Sequence, residues 1–197
     1  MQVQGIMGSL APADVQQAMQ AQMHGFLRCF QERVGELESL SGTLELAFRV
    51  RVSGRVRWVY PRYSNLGDRK TERCMIKAAT TLRFPPPSGH GEAQFVYPMQ
   101  LDLLEGVRAP EAIDAEALAP VVAKHGPKVL RACRPRGHSY ALHLTAYVDA
   151  RGEVVAAGAS ADARKADEAL DCAVEAVRGW ELPTRRRGVT KVEFALR

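Results

Sequence analysis

The sequence predicts an α+β protein built as two tandem α-β-β-α-β domains, each a three-stranded antiparallel sheet with two helices on one face. Three observations lead there: an internal repeat, a switch between helical and alternating apolar periods that recurs in the same order, and cysteines at matching positions in both copies. The repeat is clearest when Gly54 is set against Gly152, because the copies then run without a gap to Pro85 against Pro183. Within that stretch Val56 falls on Val154, Cys74 on Cys172, Ile76 on Val174, Ala78 on Ala176 and Leu82 on Trp180. Backwards at the same offset, Leu44, Leu46 and Val50 fall on Leu142, Leu144 and Val148, and Phe48 falls on the smaller Ala146. A one-residue slip then brings Gly91 onto Gly188, Phe95 onto Val192, Tyr97 onto Phe194 and Met99 onto Leu196; a further gap brings Cys29 onto Cys133.

Each element follows from its period. Val15, Met19, Met23, Phe26, Phe30 and Val34 recur at helical spacing, so Asp14 to Leu37 reads as one amphipathic helix. Leu44, Leu46, Phe48, Val50 and Val52 alternate with Thr43, Glu45, Ala47, Arg49 and Arg51, the pattern of a strand with one wet face. Ser53-Gly54 turns the chain, and Val56, Trp58 and Tyr60 continue as the second arm of a hairpin, on the parity that assigns both aromatics to the core. A helix from Arg69 to Leu82 must stop before Phe84-Pro85-Pro86-Pro87, because proline cannot continue it. Gly91 to Leu101 is the last strand, and Pro98 near its end marks either a sheet edge or the strand's terminus. The second copy repeats the order: a helix near Asp114 to Cys133, made late or broken by Pro120 and Gly126-Pro127, then strands at Ser139 to Val148 and Glu153 to Ala157. A helix from Arg164 to Gly179 and a strand from Gly188 to Leu196 complete it. The predicted domains are 1–103 and 114–197, with 104–113, carrying Gly106 and Pro110, as a linker.

The four cysteines are Cys29, Cys74, Cys133 and Cys172, too far apart for a CxxC redox motif or a zinc knuckle. Composition alone leaves four buried free thiols open. The repeat favours bridges within each copy, Cys29–Cys74 and Cys133–Cys172, since both pairs come from neighbouring helices at matching positions. Disulfides of that kind imply an oxidising compartment.

The bulk numbers exclude several classes. Of 197 residues, 46% are hydrophobic and 25% charged, as in a folded globular protein, and no apolar run approaches bilayer length. The start, Met1 to Pro12, has no basic region and no long apolar core, so it does not read as a signal peptide. The net charge of +5 is spread among acidic residues without a dense basic stripe, which argues against nucleic-acid binding.

A first helix bearing Cys29, a strand pair with a glycine turn, Cys74-Met75-Ile76 on a second helix, Phe84-Pro85, a glycine-rich loop and then Phe95-Val96-Tyr97-Pro98 resemble the AgmX/PglI C-terminal domain family, within the wider TonB C-terminal-like fold. The resemblance covers residues 10–101 best; in the second copy Leu182-Pro183 stands for Phe-Pro, and Lys191 to Leu196 has no Tyr-Pro. It implies a periplasmic module of an inner-membrane-anchored protein, associated with gliding motility. Such a module links energised complexes to outer-membrane or periplasmic envelope proteins by taking a partner segment as an added strand. The strand expected to do so is Gln94 to Leu101, with Gln94, Phe95, Val96, Tyr97 and Met99 at the contact, and secondarily Lys191, Val192 and Phe194.

Catalytic and metal chemistry find little purchase. His24, His90, His125, His138 and His143 form no ligand-spaced set, so no metal or cofactor is expected. No GxSxG, P-loop or GxGxxG occurs. A thiol-dependent or hydrolytic site assembled only in three dimensions is the enzymatic alternative, and a force-transmitting spacer without a ligand is the structural one. Two basic features remain as candidate surfaces: Arg185-Arg186-Arg187, and the hairpin face with Arg49, Arg51, Arg55 and Arg57.

Overall fold

A computed structural model describes residues 8–89, 91–185 and 188–197. Five helices and two sheets among them make a mixed α+β fold. In the first half, α1 (Pro12–Ala21) and α2 (Met23–Val34) precede β1 (Gly42–Val50) and β2 (Val56–Ser64). Then come α3 (Arg69–Thr80) and β3 (Ala93–Leu101). In the second half, β4 (Glu111–Ala112) and α4 (Ala115–Cys133) precede β5 (Leu142–Val148), β6 (Val154–Ser160), α5 (Asp167–Arg178) and β7 (Thr190–Leu196). The sheet orders are β2-β1-β3, all antiparallel, and β4-β7-β5-β6.

Alternation in the central strands decides where the cores lie. Leu44, Leu46, Phe48 and Val50 of β1 are fully buried with Phe26, Cys29 and Phe30 of α2 and Met75 and Ala79 of α3. Leu142, Leu144, Ala146 and Val148 of β5 do the same with Leu118 and Val129 of α4 and Leu170 and Val177 of α5. Volume is exchanged between the halves. Ala146 stands where β1 has Phe48, and Trp180, stacked on Phe194 with centroids 5.6 Å apart, stands where the first half has Leu82. A disulfide joins the two helices over each sheet, Cys29 to Cys74 and Cys133 to Cys172.

Four expectations are corrected, and one pairing is new. The first helix is two, broken at Gln22, whose φ and ψ of −96° and 2° end α1 and start α2. Neither proline nor glycine sits at the break; the change of axis leaves Met19 and Phe26 buried and turns Met23 out to 41% exposure. Conversely α4 runs unbroken through Pro120 and Pro127. Each proline forfeits a backbone bond, and packing of Leu118, Gly126 and Val129 on the sheet offsets the loss. A Cβ at Gly126 would stand 2.9 Å from Leu196, so the missing side chain permits that approach. Trp58 and Tyr60 lie on the outer face, opposite Arg49 and Ala47. The ladder shifts between Arg49 and Val50, and the extra residue reverses the parity of β2 until a second shift between Glu45 and Leu46 restores it, so Val59 reaches the core instead. Part of the expected linker is a strand: β4 pairs in parallel with β7, Glu111 with Thr190 and Ala112 with Lys191, making the second sheet four-stranded. Finally, Gly8 makes an isolated parallel bridge to Ala93 at the start of β3. Gly8 and Glu111 each lie four residues ahead of a helix start, so both halves lay the segment before their first helix against the start of their last strand.

The halves meet along a seam. The outer face of the second sheet, carrying Tyr147, Thr145 and Ala156, covers the loop and helix that follow β2; Tyr147 and Ala156 belong to the first half's core. Tyr147 accepts from the Ser41 backbone N–H at 3.0 Å and donates to the Ser41 carbonyl at 3.1 Å. Burial pushes its phenol up to about 12. The Lys191 ammonium also donates to the Ser41 carbonyl, at 2.9 Å, and burial lowers its pKa. Asp68 caps α3 through Thr71 and is held by two nitrogens of the Arg33 guanidinium, each at 3.0 Å. Edge to edge, the Ser64 N–H donates to the Ser160 hydroxyl at 2.8 Å, and the Ala161 N–H to the Pro61 carbonyl at 3.3 Å.

Charge inversion marks this seam. The offset that sets Gly54 on Gly152 also sets Arg69 on Asp167 and Arg73 on Asp171. These equivalent positions face each other. Arg69 bonds Asp167 at 2.5 Å and Asp171 at 2.8 Å, and Arg73 bonds Asp171 at 2.8 Å. Glu72, the next turn of α3, is wholly buried. It accepts from the Ser64 hydroxyl at 2.7 Å and from the Ala159 N–H at 3.2 Å, while the nearest Arg69 nitrogen stays 3.9 Å away. Gly158 makes room for it, since a Cβ there would stand 2.5 Å from the Glu72 carboxylate and 2.8 Å from the Asp68 nitrogen. Gly158→Val should therefore lower stability by about 1–3 kcal/mol through overpacking. Denaturant titration checks this, and an unchanged midpoint would show that the seam adjusts freely.

Candidate functional site

Three of the four lateral edges of the two sheets are engaged at least in part. The edge of β2 lies against β6, as the Ser64–Ser160 and Ala161–Pro61 bonds show, and Tyr60 and Arg62 reach Asp162 across the same junction. The open side of β7 carries β4 over Thr190 and Lys191. The fourth edge is the outer side of β3. Gly8 holds its first residue, Ala93, and Ser9 pairs beyond it with Ser88. Gly8 can lie this close because a Cβ there would stand 2.2 Å from the Gly91 carbonyl oxygen. From Gln94 to Leu101, β3 has no strand on its outer side among the described residues.

Pro98 sets the direction of the backbone groups along that edge. The β1–β3 register runs without a shift, pairing Glu45 with Pro98, Ala47 with Val96 and Arg49 with Gln94. In an antiparallel ladder, opposed pairs alternate between exchanging both bonds and exchanging none. Proline has no N–H, so it fits the pair that exchanges none. Gln94, Val96 and Gln100 share its parity, and their N–H groups point outward, that of Gln94 to Gly8 in its bridge at Ala93 and those of Val96 and Gln100 to the open side. Phe95, Tyr97 and Met99 bond inward to β1. Their side chains pack on the first core, Phe95 stacking on Phe48 at 5.0 Å, and remain partly exposed at the rim. Val96, at 40% exposure, stands on the outer face beside the buried Ala47.

The corresponding residues of β7 are placed differently. Lys191 is committed to Ser41 and paired with Ala112, Val192 is fully buried, and Phe194 lies under Trp180. The cationic hairpin face is divided: Arg49 and Arg57 both bind Glu92, at 2.5 and 2.8 Å, while Arg51 and Arg55 do not. Of the run Arg185-Arg186-Arg187, Arg186 and Arg187 lie outside the described residues, as does His90. The other histidines are scattered: His24 is exposed, His125 lies 5.3 Å from the Trp180 ring, His138 5.7 Å from Tyr140 and His143 6.0 Å from Tyr63. No group of three His, Cys, Asp or Glu side chains suited to a metal occurs among the described residues. Both cysteine pairs are spent in disulfides, the chemistry of an oxidising compartment. No described helix is long and apolar enough to cross a membrane.

Sequence reasoning missed Gly8, Glu111 and the seam residues Glu72, Gly158 and Tyr147. The mismatch between copies, Leu170 opposite Glu72 and Tyr60 opposite Gly158, is a signal for two of these, Glu72 and Gly158. The chain matches no protein-family model, and neither a curated protein nor a solved structure matches it.

Proposed function

We propose that the chain is a non-enzymatic protein-binding module, two tandem TonB-like domains of an envelope-spanning, motility-type assembly. It acts in the periplasm and takes a partner segment as an added strand along β3. One observation carries this reading: β3 offers the outward N–H groups of Val96 and Gln100 with no strand beside them among the described residues, while the other edges are engaged at least in part. An unpaired edge is a template for another strand, and strand addition draws its affinity from main-chain bonds and its selectivity from alternate side chains. An incoming segment would meet Val96 and Pro98 on one face and the rims of Phe95, Tyr97 and Met99 on the other. Its apolar residues would therefore alternate toward the helices.

Amide exchange tests the edge in the free protein. The N–H groups of Phe95, Tyr97 and Met99 should exchange slowly and those of Val96 and Gln100 fast. Val96→Pro should then abolish capture of extended peptides selected on the wild type while leaving the fold intact, and Gln94→Ala should change little. Undiminished capture by a folded Val96→Pro protein would remove strand addition at β3 as the mechanism.

A further inference from the structure

At the tip of the β1–β2 hairpin, backbone pairing sets three arginines in a row. The Arg51 N–H donates to the Arg55 carbonyl at 2.9 Å, and Arg55 forms an antiparallel bridge with Arg83. All three side chains are exposed, and none has a carboxylate partner among the described residues. Arg83 gives one nitrogen to the Leu82 and Thr81 carbonyls, which leaves its charge uncompensated. Like charges directly across a ladder are destabilising. Beside the row, Glu92 binds both Arg49 and Arg57. At the apex between Arg51 and Arg55, Val52 is 54% exposed, the most exposed large apolar side chain described.

The second half is an internal control. The same offset places Asp149, Glu153 and Glu181 where the first half has Arg51, Arg55 and Arg83, and Ala150 where it has Val52. There Arg151 binds Asp149 at 3.1 Å and Glu153 at 2.9 Å. The hairpin thus forms with either sign of charge, so folding does not require the arginines.

We propose that this tip docks on an anionic phospholipid surface, with Val52 entering the headgroup layer and Arg51, Arg55 and Arg83 on the phosphates. Guanidinium groups match phosphate oxygens in paired geometry. An exposed apolar residue ringed by unpaired arginines is the arrangement an interface of apolar core and anionic rim selects. A second copy of the chain fits less well, because Arg151 already holds two of the three carboxylates in the acidic row it would offer, Asp149 and Glu153.

Vesicle co-sedimentation of the full chain is the test, with phosphatidylcholine alone and phosphatidylcholine containing phosphatidylglycerol. Binding should require phosphatidylglycerol and fall with added salt. Each arginine changed to glutamine should weaken partition about fivefold, and the triple variant R51Q/R55Q/R83Q about hundredfold. Val52→Asp should weaken it with the arginines in place. Glu92→Gln, which frees Arg49 and Arg57 beside the row, should strengthen it several-fold, an effect a merely structural arginine row would not give. Absent binding to the anionic vesicles, or equal binding by the triple variant, overturns the proposal. So does concentration-dependent dimerisation that the triple variant abolishes, which would assign the row to a second copy.

Discussion

Replacing Cys29 and Cys74 together by alanine is expected to cost about 4 kcal/mol of stability in the chain-entropy description. The bridge spans 45 residues and ties α2 to α3 over the first sheet. The break at Gln22 leaves α2 only 12 residues long, below the length at which a helix holds itself in water. Its order rests on Phe26, Phe30 and the bridge. The Cys133–Cys172 bridge, spanning 39 residues, should count nearly as much, since the entropy grows only with the logarithm of loop length. Denaturant titration of each double variant measures the effect, and peptide mapping without reductant should recover both bridges. A loss below about 1 kcal/mol would mean that the unfolded chain is already compact enough for the cross-link to restrict little.

Glu72 should make the protein less stable as pH rises. Burial pushes its carboxyl from 4.5 up to about 7, with the Ser64 hydroxyl, Arg69 and the Ala159 N–H pulling down and the neighbouring Asp68 pushing up. A folded pKa above the unfolded one means that this group's contribution is full below 4.5 and is lost as pH rises through about 7. The difference amounts to about 2.5 kcal/mol between pH 5 and pH 8. Arg69 offers limited relief, because Asp167 and Asp171 already hold it. Glu72→Gln keeps the shape and can accept from the Ala159 N–H and donate to Ser64. It should match the wild type at pH 5 and exceed it at pH 8. Parallel stability curves for the two proteins across that range would show that the wild-type carboxyl is already charged at pH 5.

How much of the fold is legible in the sequence depends on which signals are periodic. The core faces of β1 and β5 alternate cleanly, and Gly54 and Gly152 mark their turns, so the central hairpins are visible in the residues alone. Trp58 and Tyr60 mislead because one extra residue in a ladder leaves no trace in the alternation of a single strand. The pairing segments at Gly8 and Glu111 are too short to show any period. Pro98 within an alternating strand suggests the open edge of β3, and its isolation becomes evident only when β2 is placed against β6. The seam cannot be read from either copy alone. A glutamate on a helix reads as solvated until its partner, here the backbone around Gly158, is brought in from the far half of the chain.

The inverted charges of α3 and α5 bear on how the halves find each other. Joined through residues 102–110, each half meets its sibling at an effective concentration in roughly the millimolar range. Encounters with the equivalent half of another molecule would bring Arg69 against Arg69, or Asp171 against Asp171. The tether supplies proximity and the inversion supplies discrimination. The contact therefore needs less apolar interface than an untethered pair would require, and ion pairs and single backbone bonds add to the burial of Tyr147 and Ala156. Two like halves can in this way meet each other in one arrangement without pairing indiscriminately with their own kind.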